Sequence, residues 1–172
     1  LIFDDLPTQD NAKTRRGRPT LHETYNTAIA ELTGLYMTQK AVEEQTKLTK
    51  FDERVVLNLI QYSSEAIQKM CIGQPMDLNA KGKRLNLEEL NRMCLYKTGI
   101  GFEASLVMPA ILARVEDKEI EILKQFAKYA GIAFQIKDDL LDVEGDQSLL
   151  GKPMGLDKEN DSSTFVTVLG KE

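Results

Sequence analysis

Between Asp117 and Val143 the chain sets Ile120, Leu123, Phe126, Ala127, Ala130, Ala133, Phe134 and Ile136 at helical spacing, and places three carboxylates, Asp138, Asp139 and Asp142, at the far end of that run. The periodicity predicts a helix of about 40 Å. Such a helix crosses a whole small domain, so the rest of the chain must pack around it. On its surface Asp138 and Asp142 stand one turn apart, with Cβ atoms about 5–6 Å from each other. Two ionised carboxylates at that spacing repel by roughly 3 kcal/mol at an effective dielectric of about 20. Relief comes from a shared proton or a cation, and Mg²⁺ suits the second case because it takes a few carboxylates together with substrate phosphate oxygens. Taken by itself, the cluster also reads as a solvated helix face.

A second acidic cluster, Asp4, Asp5 and Asp10, lies at the start of the chain. Leu1 to Asp10 reads as the last turns of a helix, loosening at Pro7, whose ring removes a donor and restricts the residue before it. The polar stretch from Asn11 to Thr20 reads as a loop and carries Arg15, Arg16 and Arg18. Arginine gives bidentate hydrogen bonds to phosphate, which aspartates alone would repel. Acid and base side by side imply a metal–phosphate ligand. The formal net charge of −5 argues against a general affinity for nucleic acid or anionic membrane, so any anion has to be met locally.

Helical periodicity also marks residues 27–46, with Ile29, Leu32, Leu35, Tyr36 and Val42 on the packed side, and residues 52–79, with Val56, Leu59, Ile60, Ser63, Ile67, Met70 and Cys71. Gln74 and Asp77 continue that second stripe, and Pro75 between them is expected to bend the helix. Polar groups there need partners or a polar cavity. Asn86 is a natural N-cap, with Glu88 and Glu89 in the first turn, for a helix that runs to about Pro109 and is weakened by Gly99 and Gly101. Gly131, beside Ala130 and Ala133, marks a thin face for a neighbouring helix. Thr164 to Leu169 reads as the start of a further helix. Cys71 and Cys94 are expected as buried thiols of a reducing compartment, and His22, the single histidine, as structural. No apolar run approaches the ~18 residues of a membrane span, so a soluble, cytoplasmic protein is expected. The abrupt apolar starts and stops at both ends suggest a partial chain, 1–172 forming a single all-α domain without its outer N- and C-terminal helices.

Asp4-Asp5-Leu6-Pro7-Thr8-Gln9-Asp10 with Arg15-Arg16-Gly17, then Gly73-Gln74-Pro75-Met76-Asp77, Lys97-Thr98-Gly99, Phe134-Gln135-Ile136-Lys137-Asp138-Asp139-Leu140-Leu141-Asp142 and Gly151-Lys152 resemble, in order, the motifs of the trans-isoprenyl diphosphate synthases. These are the farnesyl and geranylgeranyl diphosphate synthases. The resemblance implies an all-α isoprenoid synthase bundle with a central cavity, where two aspartate motifs face each other across Mg²⁺. By that likeness Asp4, Asp10 and Asp138 are metal ligands, and Asp5, Asp139 and Asp142 support them. Arg15, Lys97 and Lys152 would hold an allylic diphosphate and Arg16 the diphosphate of isopentenyl diphosphate, with Gln74 and Asp77 also on the substrate side. Lys97, Thr98 and Gln135 would lie near the reacting carbons. The implied partners are those two diphosphates and a second copy in a homodimer.

The chemistry suits these residue types. Ionising an allylic diphosphate leaves a carbocation and pyrophosphate, so charge on the leaving group must be stabilised in a water-poor site. No side-chain nucleophile is required. Two departures stand out: Ser162 where the family usually has lysine, and Phe3 where bacterial members often have histidine. A class I terpene cyclase and a non-catalytic regulatory subunit are the competing readings. The intact Asp138-Asp139-Leu140-Leu141-Asp142 argues against both.

Overall fold

The computed structural model describes residues 1–144 and 163–170. A two-stranded antiparallel hairpin, β1 (Thr14–Arg15) and β2 (Arg18–Pro19), leads through a single helical turn, α1 (Leu21–Thr24), into a set of helices: α2 (Thr27–Thr46), α3 (Glu53–Ala80), α4 (Leu87–Cys94), α5 (Ile100–Leu112), α6 (Asp117–Glu144) and α7 (Phe165–Leu169). A π-helical turn, Leu95–Gly99, joins α4 to α5 without a break. The fold is all-α apart from the hairpin, and α5 with the π-turn packs between α3 and α6.

The helix starts follow local chemistry. Asn26 and Asp52 accept hydrogen bonds from the first-turn amides of Ile29 and Arg54. Asn86 and Glu89 form a reciprocal capping box at α4, and Thr164 and Thr167 do the same at α7. The long helix appears where its periodicity predicts, from Asp117 to Glu144. Around it Ala80, Leu90, Met93, Cys94 and Phe165 form a buried cluster against Ile132 and Ile136.

Several expectations are corrected. Residues 1–10 form a series of tight turns rather than a helix end, with Asp5 N–H donating to Leu1 O and Asp10 N–H to Asp4 O, each at 3.0 Å. Residues 11–20 are no plain loop: Arg16 and Gly17, at φ 53° and 71°, make the two-residue turn that matches strand twist in a hairpin. On α2 the packed side is Ala30 and Gly34, whereas Ile29, Leu32, Leu35 and Tyr36 are exposed. The cause is steric, since Phe3 lies on Gly34 and a Cβ there would come within 2.7 Å of its ring. Cys71 is exposed and only Cys94 is buried. Gly99 and Gly101 accompany a π-turn, and α5 continues past Pro109 to Leu112.

Candidate active site

The π-turn puts two adjacent side chains to work on opposite neighbours. Lys97 Nζ pairs with Asp77 Oδ2 on α3 at 2.5 Å. Thr98 donates its hydroxyl to Gln135 Oε1 on α6 at 3.1 Å, and Gln135 Nε2 donates to Asp139 Oδ1 at 2.9 Å. Asp139 is completed by the backbone N–H of Phe165, at 2.7 Å from Oδ2. Lys97 is held charged: burial works against the ammonium, but Asp77 first and then Asp10 and Asp4 outweigh it and raise its pKa.

The N-terminal carboxylates belong to the same neighbourhood, since the charges of Asp10 and Asp4 act on Lys97. Asp5, 6% exposed, accepts Arg15 Nε at 3.0 Å and a second guanidinium nitrogen on the same oxygen. The bond to Asp5, set against the cost of burial, raises the Arg15 pKa. Asp10 is pushed upward by burial, and the charges of Asp77 and Asp4 push it the same way, against Lys97 and Lys81. Asp139 is likewise raised by burial, with its bonds to Gln135 and the Phe165 amide opposing and Asp138 and Asp142 reinforcing.

The expected residues therefore form two groups. Asp4, Asp10, Asp77 and Lys97 share one electrostatic neighbourhood, flanked by Asp5 and Arg15. Thr98, Gln135 and Asp139 form the second, with Asp138 and Asp142 on the same helix. Asp142 is buried and Asp138 half-buried. Arg16 stays exposed at the hairpin turn. Gln74 Nε2 is buried and has no hydrogen-bond partner among the described residues, so it calls for an acceptor. Lys152 and Ser162 lie outside the described residues. Among the described residues, no three acidic, thiol or imidazole groups stand close enough to hold a metal ion by themselves. No described helix is long and apolar enough to cross a membrane. The Phe165 amide was not foreseen as a partner of Asp139, although the cap pattern of Thr164 and Thr167 marks the helix start that supplies it.

The polyprenyl synthetase sequence profile matches residues 1–172. The chain belongs to the polyprenyl synthetase family. Within that family, the farnesyl diphosphate synthase of Micrococcus luteus is 40% identical over 174 aligned residues, covering 100% of this chain and 60% of that protein. The farnesyl diphosphate synthase of Haemophilus influenzae is 39% identical, covering 99% of this chain and 59% of that protein. Among solved structures, the geranyltransferase of Helicobacter pylori, complexed with magnesium and isoprenyl diphosphate, superposes with a TM-score of 0.89 at 34% identity, covering 99% of this chain and 56% of that one. The chain thus spans about 60% of the length of the curated relatives it matches. The fold is that of the isoprenoid synthases.

Proposed function

We propose that the protein is a Mg²⁺-dependent trans-prenyltransferase, which condenses an allylic prenyl diphosphate with isopentenyl diphosphate into a longer, short-chain linear prenyl diphosphate and releases pyrophosphate. The observation that carries this reading is the position of Lys97 and Thr98, consecutive residues linked respectively to the Asp4, Asp10 and Asp77 group and, through Gln135, to Asp139. A fixed cation and an oriented hydroxyl between two acidic motifs suit a diphosphate that must leave and a carbocation that must stay put. The names of the relatives support the reaction class and the short product.

Support for a metal comes from the chemistry of the acidic residues, hard carboxylate oxygens that suit Mg²⁺ together with a diphosphate. Asp10 carries an upward push, chiefly from burial, that Lys97 does not cancel, so a divalent cation would favour its charged form. The orphaned Gln74 Nε2 is a donor for an anionic oxygen. Asp4, Asp10 and Asp138 would hold Mg²⁺, with Asp5, Asp139 and Asp142 supporting them through hydrogen bonds. Bound there, the metal would supply stabilisation of the leaving diphosphate's charge. Arg15, Arg16, Lys97 and Lys152 would bind the two diphosphates. Lys97, Thr98 and Gln135 would hold the allylic carbon in line while the surrounding helices exclude water. Asp77 would keep Lys97 aimed.

A homodimer belongs to the proposal, supported by the exposed apolar face of α2, Ile29, Leu32, Leu35 and Tyr36. So does a cytoplasmic location, supported by two free cysteines. The decisive experiment incubates the full-length protein and Mg²⁺ with dimethylallyl, geranyl or farnesyl diphosphate, with and without isopentenyl diphosphate. Pyrophosphate release that depends on both substrates, with a linear product five carbons longer by mass spectrometry, is expected. A cyclic hydrocarbon from the allylic substrate alone, or no release with any pair, overturns the reading.

A further inference from the structure

Two glycines that belong to neither acidic motif hold the π-turn from opposite sides. On α3, a Cβ at Gly73 would lie 2.5 Å from Lys97 N and 2.5 Å from Tyr96 C. On α6, a Cβ at Gly131 would lie 2.8 Å from Gly99 Cα and 3.3 Å from its N. These are approaches to backbone, which cannot swing aside as a side-chain tip would. Each glycine is followed, one helical turn on, by the residue that grips the side chains of the same turn: Asp77 takes Lys97, and Gln135 takes Thr98. The spacing of four on both helices puts a backbone seat and a side-chain hook on one face.

The physical cause is the width of a π-turn. Its ring closes on the fifth residue instead of the fourth, so its backbone bulges beyond the radius of the flanking helix. Helices packed against a bulge must either retreat or lose their Cβ atoms at the points of contact. Here α3 and α6 lose them and remain close.

We infer that Gly73 and Gly131 are positioning residues of the reaction: together with Asp77 and Gln135 they form a two-sided clamp that fixes the π-turn, and with it Lys97 and Thr98, in the reactive arrangement. The inference rests on the proposed prenyl-transfer reading for the chemistry but not for the clamp itself. Gly73 governs the Lys97 side and therefore the diphosphate. Gly131 governs the Thr98–Gln135 side and therefore the allylic carbon.

The test has two parts. In the first, hydrogen exchange of the unmodified full-length protein reads the amides of residues 95–99 without any catalysis. Protection at those amides comparable to the middle of α3 and α6 is expected; exchange at the rate of an open loop overturns the clamp whether or not the protein is a prenyltransferase. In the second, Gly73→Ala and Gly131→Ala are assayed with both substrates beside Gly101→Ala, where an added Cβ meets nothing within 4 Å and activity stays at the unmodified level. Gly73→Ala is expected to raise KM for the allylic diphosphate at least tenfold, leaving that for isopentenyl diphosphate within twofold. Gly131→Ala is expected to raise at least fivefold the fraction of allylic diphosphate that ends as alcohol, by water attack on the cation with loss of a proton, instead of condensation product. A loss of folded protein alone changes neither the ratio of the two KM values nor the partition between water and the second substrate. Unchanged ratios in both variants overturn the inference. An unmodified protein that is inactive, with protected amides at 95–99, sinks the prenyl-transfer reading and leaves the clamp standing.

Discussion

Gln135 stands one turn before Asp139 on α6 and donates its amide to the carboxylate at 2.9 Å, while its carbonyl accepts the Thr98 hydroxyl. Both ends of one amide are thereby assigned, and only one orientation satisfies them. Gln135→Glu keeps the acceptor for Thr98 but sets a second carboxylate against Asp139. Turnover is expected to fall by roughly 10–100-fold, the usual cost of losing an outer hydrogen bond that supports a metal site, the role proposed for Asp139. Steady-state kinetics at several Mg²⁺ concentrations checks it; a variant with unaltered turnover and Mg²⁺ dependence removes Gln135 from the site.

Asp138 carries a different weight from its neighbours, because it is only half-buried whereas Asp139 and Asp142 are buried. Asp138→Ala is expected to lower turnover by roughly 10²–10³-fold, the scale seen when one fixed group facing developing charge is deleted. Far-UV circular dichroism should scarcely change. Near-normal turnover would contradict the proposal that it is a metal ligand.

Arg15→Ala leaves Asp5 buried with its guanidinium partner gone. Breaking such a pair from one side costs about 3 kcal/mol. Urea unfolding should show the midpoint drop, and adding Asp5→Asn in the same chain should recover more than half of the loss. A midpoint that stays put in the single variant would show that Asp5 is well solvated.

Cys94 is pushed up to about 11 from an ordinary 9.0, by burial first and by the charge of Asp139 second. A group raised in this way adds stability fully below its unfolded pKa and loses it as pH climbs through the folded value. Lys97 and Tyr62 are raised as well, Tyr62 by burial and by its bond to Glu103, so the three act in the same direction. Melting temperature is expected to fall as pH rises above about 9, by an amount for Cys94 on the order of 2 kcal/mol in stability. Cys94→Ala should flatten the fall between pH 9 and 11. In the native protein at neutral pH, a thiol reagent should modify exposed Cys71 and leave Cys94 until unfolding; equal labelling of both would contradict the burial.

Long periodic runs were legible in the sequence because a 3.6-residue stripe survives whatever packs on it: α3 and α6 appear within a residue or two of their expected limits. Asn86 announced its helix through capping chemistry, which is local, whereas the box of Thr164 and Thr167 became visible only in the fold. The face of α2 misled because its large apolar side chains are exposed while the small Ala30 and Gly34 are buried, Gly34 against the Phe3 ring. Small residues carry little weight in any hydrophobic pattern. Arg16-Gly17 hid a hairpin, since an arginine at positive φ is uncommon. In the site, the residue types and their order were readable, but the pairing of Lys97 with Asp77 and of Thr98 with Gln135 depends on a π-turn, and no periodicity distinguishes five residues per ring from a helix interrupted by glycine.

The hydrogen bond from Phe165 to Asp139 spans 26 residues, and that span has a meaning in time. Synthesis runs from the N-terminus at roughly 5–20 residues per second. Asp5 can find Arg15 after ten more residues have been made, whereas Asp139 waits for a donor much further along the chain. On the growing polypeptide both partners of the Asp5–Arg15 pair are therefore made long before both partners of the Asp139–Phe165 bond exist.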